Sequence, residues 1–291
     1  MRRWTLLALS LSLLAACGGG AAAPSRPVVA AAVFPLGWAA ERVGGDAIEV
    51  AILTPAQTEP HDLGLTPGQV RQVAGADLVL YVGADFQPAV EEVASGRDEA
   101  LDVLEAVDAL AAADEHDDHN HGPVDPHVWL DPVRMKAVVE AVGARVAELV
   151  PDDTDAIRAR AAELAEELNA LHRDFEAGLS GCERHEIVVS HEAFGYLADR
   201  YGLEQIAISG LDPEAEPSPG RIAEVTRLAR EKGATTIFFE TLVSPAIAET
   251  VAAEAGVETA VLDPLEGPPE SGDYLRGMRA NLEALRKALG C

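Results

Sequence analysis

The feature that most constrains this chain is a long helix near its middle. From residue 152 to 179 no glycine or proline interrupts the sequence before Gly178, and Ala, Glu, Leu and Arg dominate. Those residue types lose little side-chain freedom in a helix. Apolar positions recur at Ile157, Ala161, Leu164, Leu168 and Leu171, spacings of three and four that draw a stripe along one face. An uninterrupted helix of that length works as a rigid strut rather than a floppy linker. It therefore divides the chain into residues 28–150, a linking helix over 151–180, and residues 181–291.

Both flanks alternate strand and helix. Residues 28–34 form a continuous apolar run, the pattern of a strand buried on both faces of a parallel sheet. Further strands are expected at 48–53 and 77–82, with a weaker fourth at 101–107. Helices are expected at 36–43, 66–74, 87–94 and 133–149, two of them opened by the cap-plus-proline pairs Thr66-Pro67 and Asp131-Pro132. After the strut, strands read at 186–190, 205–208, 235–239 and 259–262, and helices at 192–201, 219–232, 245–255 and 273–289. The expected fold class is α/β: two domains, each with a mainly parallel sheet flanked by helices, joined by the long rigid helix. A chain of 291 residues, 48% hydrophobic, can supply two cores.

The first 27 residues stand outside this pattern. Arg2 and Arg3 precede an apolar run over 4–14, and Leu14-Ala15-Ala16-Cys17 ends it with small residues. This arrangement resembles a lipobox, which implies that residues 1–17 are a lipoprotein signal peptide and that Cys17 becomes the lipid-modified first residue. The alternative is an ordinary secretory signal cut nearby. Residues 18–27, rich in Gly, Ala and Pro, read as a flexible tether. Export places the chain in an oxidising compartment, where Cys182 and Cys291 can pair if their Cα atoms come within about 7 Å. With 22 basic against 49 acidic residues the net charge is −27. That balance excludes nucleic acid and anionic membrane surfaces as partners and draws in cations.

The candidate functional residues are histidines. Residues 111–126 have no hydrophobic period, and loops of that length inside a domain are commonly functional. Glu115, His116, His119 and His121 crowd into it. Next comes Asp125-Pro126-His127-Val128-Trp129-Leu130-Asp131-Pro132, in which two Asp-Pro corners hold His127 stiffly. Open α/β sheets bind ligands beyond the carboxyl ends of their strands. His61 follows the second strand, His127 the fourth, His191 the strand ending at Ser190, and Asp263 the strand ending at Leu262. Three imidazoles and a carboxylate on that shared edge make a tetrahedral zinc set. Each has a plainer reading. Asp263 precedes Pro264 and can be a turn residue, and Glu240, also at a strand end, is its rival as the fourth ligand. Asp62 reads as a residue that orients His61 or caps a turn rather than as a ligand. His172 and His185 read as solvated.

Glu59-Pro60-His61-Asp62, the 125–132 segment, Ser190-His191-Glu192-Ala193-Phe194-Gly195-Tyr196-Leu197 and Leu262-Asp263-Pro264-Leu265 together resemble the four signature segments of the metal-binding substrate-binding proteins of ABC transporters. The zinc-uptake type is the nearest match, in order, over nearly the whole mature chain. The resemblance implies two α/β domains bridged by one rigid helix with the metal between them. It carries over His61, His127, His191 and Asp263 as ligands. Zinc-type members have histidine where manganese-type members have glutamate, and here that position is His191. The acidic and histidine-bearing loop, with accessory ligands His116, His119 and His121, is a reduced form of the one zinc-type members often carry.

The expected function is capture of Zn²⁺ outside the cytoplasm and its delivery to an ABC transporter permease, by a monomer whose contact with the membrane is its lipid anchor. Manganese binding, or a zinc-buffering or adhesin role, is the alternative. A zinc hydrolase, sharing the ligand set, is disfavoured: His191-Glu192 is followed at position 195 by glycine, so the helical HExxH arrangement is missing, and no nucleophile motif is present.

Overall fold

The computed structural model describes residues 26–111 and 124–291. Cys17, His116, His119 and His121 lie outside them. In the first half, strands β1 (Val28–Ala31), β2 (Glu49–Ile52), β3 (Leu78–Tyr81) and β4 (Ala100–Asp102) form a wholly parallel sheet in the order β2-β1-β3-β4. Helices α1 (Phe34–Gly44), α2 (Pro67–Gly75), α3 (Pro88–Ala94) and α4 (Pro132–Leu149) flank it. The second half repeats the plan with β5 (Glu186–Val189), β6 (Glu204–Ala207), β7 (Thr236–Phe239) and β8 (Glu258–Val261), all parallel in the order β6-β5-β7-β8. Its helices are α6 (Gly195–Tyr201), α7 (Pro219–Glu231), α8 (Ala246–Ala255) and α9 (Tyr274–Leu289).

Local chemistry sets most of the boundaries. Thr66 closes a capping box with Gln69, Asp131 accepts from the Val133 amide, and Ser218 accepts from the Arg221 amide; each precedes a proline at the first helical position. The apolar run 28–34 is a shorter strand than its composition predicts, because α1 already begins at Phe34 with Pro35 in its first turn. The weak fourth strand is three residues long. Asp102 then caps a tight helical turn at Val103–Ala106 by accepting from the Leu104 amide.

Helix α5 (Thr154–Leu179) is the strut. Its 26 residues reach about 39 Å at the standard helical rise. It is not a bare rod, since Ile157, Ala161, Leu164, Leu168, Leu171 and Phe175 are all buried. Its main packing partners are α1 and α4 of the first lobe and α9 of the second, with α6 adding Tyr201 against Phe175. One apolar cluster therefore runs from Val43 and Val139 through Leu164 and Phe175 to Leu282, joining the lobes. Separate, smaller clusters cover the outer face of each sheet. Cys182, just past α5, is disulfide-bonded to Cys291, just past α9. Among the described residues no helix is long and apolar enough to cross a membrane.

Candidate metal centre

The rigid 125–132 segment is the seam between the lobes. Trp129 is fully buried, and its indole N–H donates across the seam to the Pro264 carbonyl at 2.7 Å. The Tyr274 hydroxyl, on α9, donates to the Trp129 carbonyl. From α6, the Tyr196 hydroxyl donates to the Asp125 carbonyl at 2.7 Å. The Arg200 guanidinium reaches both oxygens of buried Asp131, at 2.8–3.1 Å. Bidentate, shielded pairs of this kind fix orientation as well as charge. His127 is thus held by groups from both lobes.

Four side chains converge there. His61 arrives on the loop after β2, His127 on the seam, His191 two residues past β5, and Glu266 on the loop after β8. Their nearest ligand atoms all lie within 4.8 Å of one another, and all four residues are buried. The Nε2 atoms of His61 and His127 are 3.3 Å apart. Glu266 Oε1 sits 3.3 Å from His61 Nε2, 3.3 Å from His127 Nε2 and 3.7 Å from His191 Nε2. With Zn–N and Zn–O bonds near 2.0–2.1 Å, a regular tetrahedron puts its ligand atoms roughly 3.3–3.4 Å apart. The separations among His61, His127 and Glu266 match, while His191 stands farther out, its Nε2 3.7 Å from Glu266 Oε1.

The far ring nitrogens of two of the histidines are paired with carboxylates. His127 Nδ1 is 2.8 Å from the Asp125 carboxylate, which also accepts the His127 amide at 2.9 Å. His191 Nδ1 is 2.8 Å from Glu240, which also accepts from the Ser190 hydroxyl at 2.7 Å. A neutral imidazole that donates from Nδ1 presents its lone pair at Nε2, toward the centre. Gly195 makes the first of these contacts sterically open: a Cβ there would lie 2.5 Å from Asp125 Oδ2. His61 is fixed differently. Glu59 accepts the His61 and Asp62 amides at 3.1 and 3.2 Å, Gln87 donates to the Pro60 carbonyl at 3.1 Å, and the Phe86 ring meets His61 edge-on.

Electrostatics follow from this packing. Burial disfavours the charge on Glu266, but the three imidazoles facing it outweigh burial and hold its carboxyl well below the usual range. Burial likewise opposes charge on His127 and His191, yet their carboxylate partners win and raise both, His191 strongly. In His61 burial wins and lowers it. Burial, reinforced by Glu266, pushes Glu59 up to about 8.

The structure brings some of the sequence-predicted residues together and not others. His61, His127 and His191 do come together from two lobes. Asp263 is not among the converging groups: its Oδ1 accepts the Leu265 amide at 2.8 Å and closes a turn. Glu240 lies behind His191, at Nδ1, and faces away from the centre as an orienting partner. The fourth converging group, Glu266, carries no sequence signal, because it stands beyond the strand end and after a reversal of the chain at Leu265 (φ 56°). His172 bonds Tyr201 at 3.1 Å rather than standing free.

Two parallel-sheet lobes bridged by a long helix, with imidazoles and a carboxylate converging on the seam, define the class of helix-bridged, two-lobed binding proteins. The chain belongs to the family described as ZnuA, zinc-uptake complex component A, periplasmic, whose model matches residues 29–288. It is 34% identical to the zinc-binding lipoprotein AdcA of Streptococcus pneumoniae, an alignment that covers 99% of this chain and 61% of AdcA. It is 30% identical to the high-affinity zinc uptake system protein ZnuA of Bacillus subtilis, covering 99% of this chain and 98% of that protein. Among solved structures, the Zn(II)-bound AdcA of Streptococcus pneumoniae superposes with a TM-score of 0.78 at 33% identity, over 92% of this chain and 58% of that one. The laminin-binding protein Lmb of Streptococcus agalactiae, described as having adhesin and metal transporting activity, gives 0.82 at 27% identity, over 91% and 100%. The chain spans about three-fifths of the length of the AdcA relative it matches.

Proposed function

We propose that this protein is the extracytoplasmic solute-binding component of an ABC transporter, which captures Zn²⁺ and hands it to a membrane permease. The observation that supports this is the convergence of His61, His127, His191 and Glu266, whose ligand atoms all lie within 4.8 Å of one another. Residues 28–150 and 181–291 act as two lobes on the 151–180 helix, and the ion sits between them. Four protein ligands leave no position for the activated water that a hydrolytic zinc site keeps open, so the role is binding rather than catalysis. Three imidazoles to one oxygen favour zinc over manganese, which prefers oxygen donors. Cys17 serves as the lipid anchor, the protein works as a monomer, and His116, His119 and His121 make first contacts with the ion.

The test is isothermal titration with a competing chelator, together with elemental analysis of the purified protein. One tightly held zinc per chain, lost on His127→Ala or His191→Ala, is the expected result. Retention of tight binding by both variants would remove the site. Zinc uptake by a permease-bearing vesicle, dependent on added protein, tests delivery.

A further inference from the structure

We propose that Asp263 and Asn281 are positioning residues that fix the aim of Glu266, so that helix α9 sets the fit of the site to its ion; this rests on the reading of Glu266 as the fourth ligand. The histidines at 127 and 191 are oriented by carboxylates at their far nitrogens. Glu266 has no such support, since its buried Oε2 has no hydrogen-bond partner. Its direction must therefore come from the backbone that delivers it.

That backbone is pinned at three successive residues. Asn281 is 2% exposed on α9, and its amide takes both backbone polar groups of Asp263: Oδ1 accepts from Asp263 N at 2.9 Å, and Nδ2 donates to Asp263 O at 2.6 Å. The Pro264 carbonyl is taken by the Trp129 indole at 2.7 Å. The Leu265 amide is taken by the Asp263 carboxylate at 2.8 Å. Leu265 itself sits in the left-handed region at φ 56°, which a side chain other than glycine rarely adopts. It is held there by full burial against Gly277, where a Cβ would lie 2.5 Å from Leu265 Cδ2. The strained turn and its clamps throw Glu266 back toward the histidines. Asp263 thus uses its carboxylate on the chain, while Asn281 transmits the position of α9.

The experiment compares Asp263→Ala, Asp263→Asn, Asn281→Ala and Glu266→Gln in the full-length protein. Zinc affinity is read against a competing chelator, and the visible spectrum of the Co²⁺ complex reports coordination geometry. Thermal unfolding of the metal-free variants confirms folding. Asp263→Ala and Asn281→Ala should each lower zinc affinity by about 10–100-fold, the effect of removing an outer-shell partner, and weaken the intense absorption of four-coordinate cobalt. Asp263→Asn keeps an oxygen for the Leu265 amide and should restore both. If Asp263→Asn loses as much as Asp263→Ala, its charge binds the ion and the positioning role is overturned. Folded Asp263→Ala with unchanged affinity and spectrum also overturns it. Should Asn281→Ala not fold, the two variants at half-buried Asp263 carry the test. Glu266→Gln with unchanged affinity and spectrum overturns the ligand reading itself, whereas loss in Glu266→Gln alone overturns the positioning role only.

Discussion

Gly195→Ala is the sharpest single test of how His127 is held. The added Cβ would lie 2.5 Å from Asp125 Oδ2, closer than side-chain carbons approach a carboxylate, so one of the two must move by roughly 0.5–1 Å to reach ordinary packing. Asp125 cannot give freely. It is 4% exposed, its Oδ1 is held by the His127 amide and by His127 Nδ1, and its carbonyl by Tyr196. Rotating the carboxylate away breaks the 2.8 Å contact that orients the imidazole. Losing an outer-shell partner of a metal-binding histidine typically lowers affinity by about 10–100-fold, or about 1.4–2.7 kcal/mol. Gly195 is the first residue of α6, and alanine is the better helix former, so the substitution does not weaken the local helix. Competition titration against a zinc chelator reads the affinity, and circular dichroism the helix. Wild-type zinc affinity in a folded Gly195→Ala protein would refute the argument.

Other expectations are as concrete. In the metal-free protein, His127 and His191 have raised values and Glu59 titrates near 8, so the stability they contribute is complete below the unfolded values and is lost as pH rises through the folded ones. The lowered value of His61 opposes this only below the ordinary histidine value of 6.5. Metal-free stability should therefore fall between about pH 6.5 and 8, while the shift in Tm caused by zinc grows, because fewer protons compete for the ligands; parallel melting curves across that range check both signs. Replacing Cys182 and Cys291 by serine opens a cross-link spanning 109 residues and should lower stability by about 2–5 kcal/mol in denaturant titrations. Trp129→Phe leaves the buried Pro264 carbonyl without its donor and should destabilise the seam by about 1–3 kcal/mol, read from the urea midpoint.

The sequence made much of the architecture legible because its parts obey strong local rules. Continuous apolar runs marked the parallel strands, and Thr66-Pro67 and Asp131-Pro132 marked helix starts by a mechanism the structure shows bond by bond. The histidines were legible because His127 is stiffened by its Asp-Pro corners and His191 follows directly on a strand. Glu266 was not. Whether it or Asp263 faces the ion depends on a left-handed Leu265, on Gly277 admitting that leucine, and on Asn281 more than a dozen residues away. None of these leaves a period in the sequence. The packing of α5 along both lobes was likewise hidden, since its stripe reads the same for a strut and for a buried helix.

The central claim is that one zinc ion is held by three imidazoles and the Glu266 carboxylate on the seam between the lobes. A crystal structure of the zinc-loaded protein, with anomalous differences recorded at the zinc edge, tests it most directly. One strong peak is expected about 2.0–2.1 Å from His61 Nε2, His127 Nε2, His191 Nε2 and Glu266 Oε1. A peak bonded instead to Asp263 or Glu240, or lying outside the seam, would contradict it.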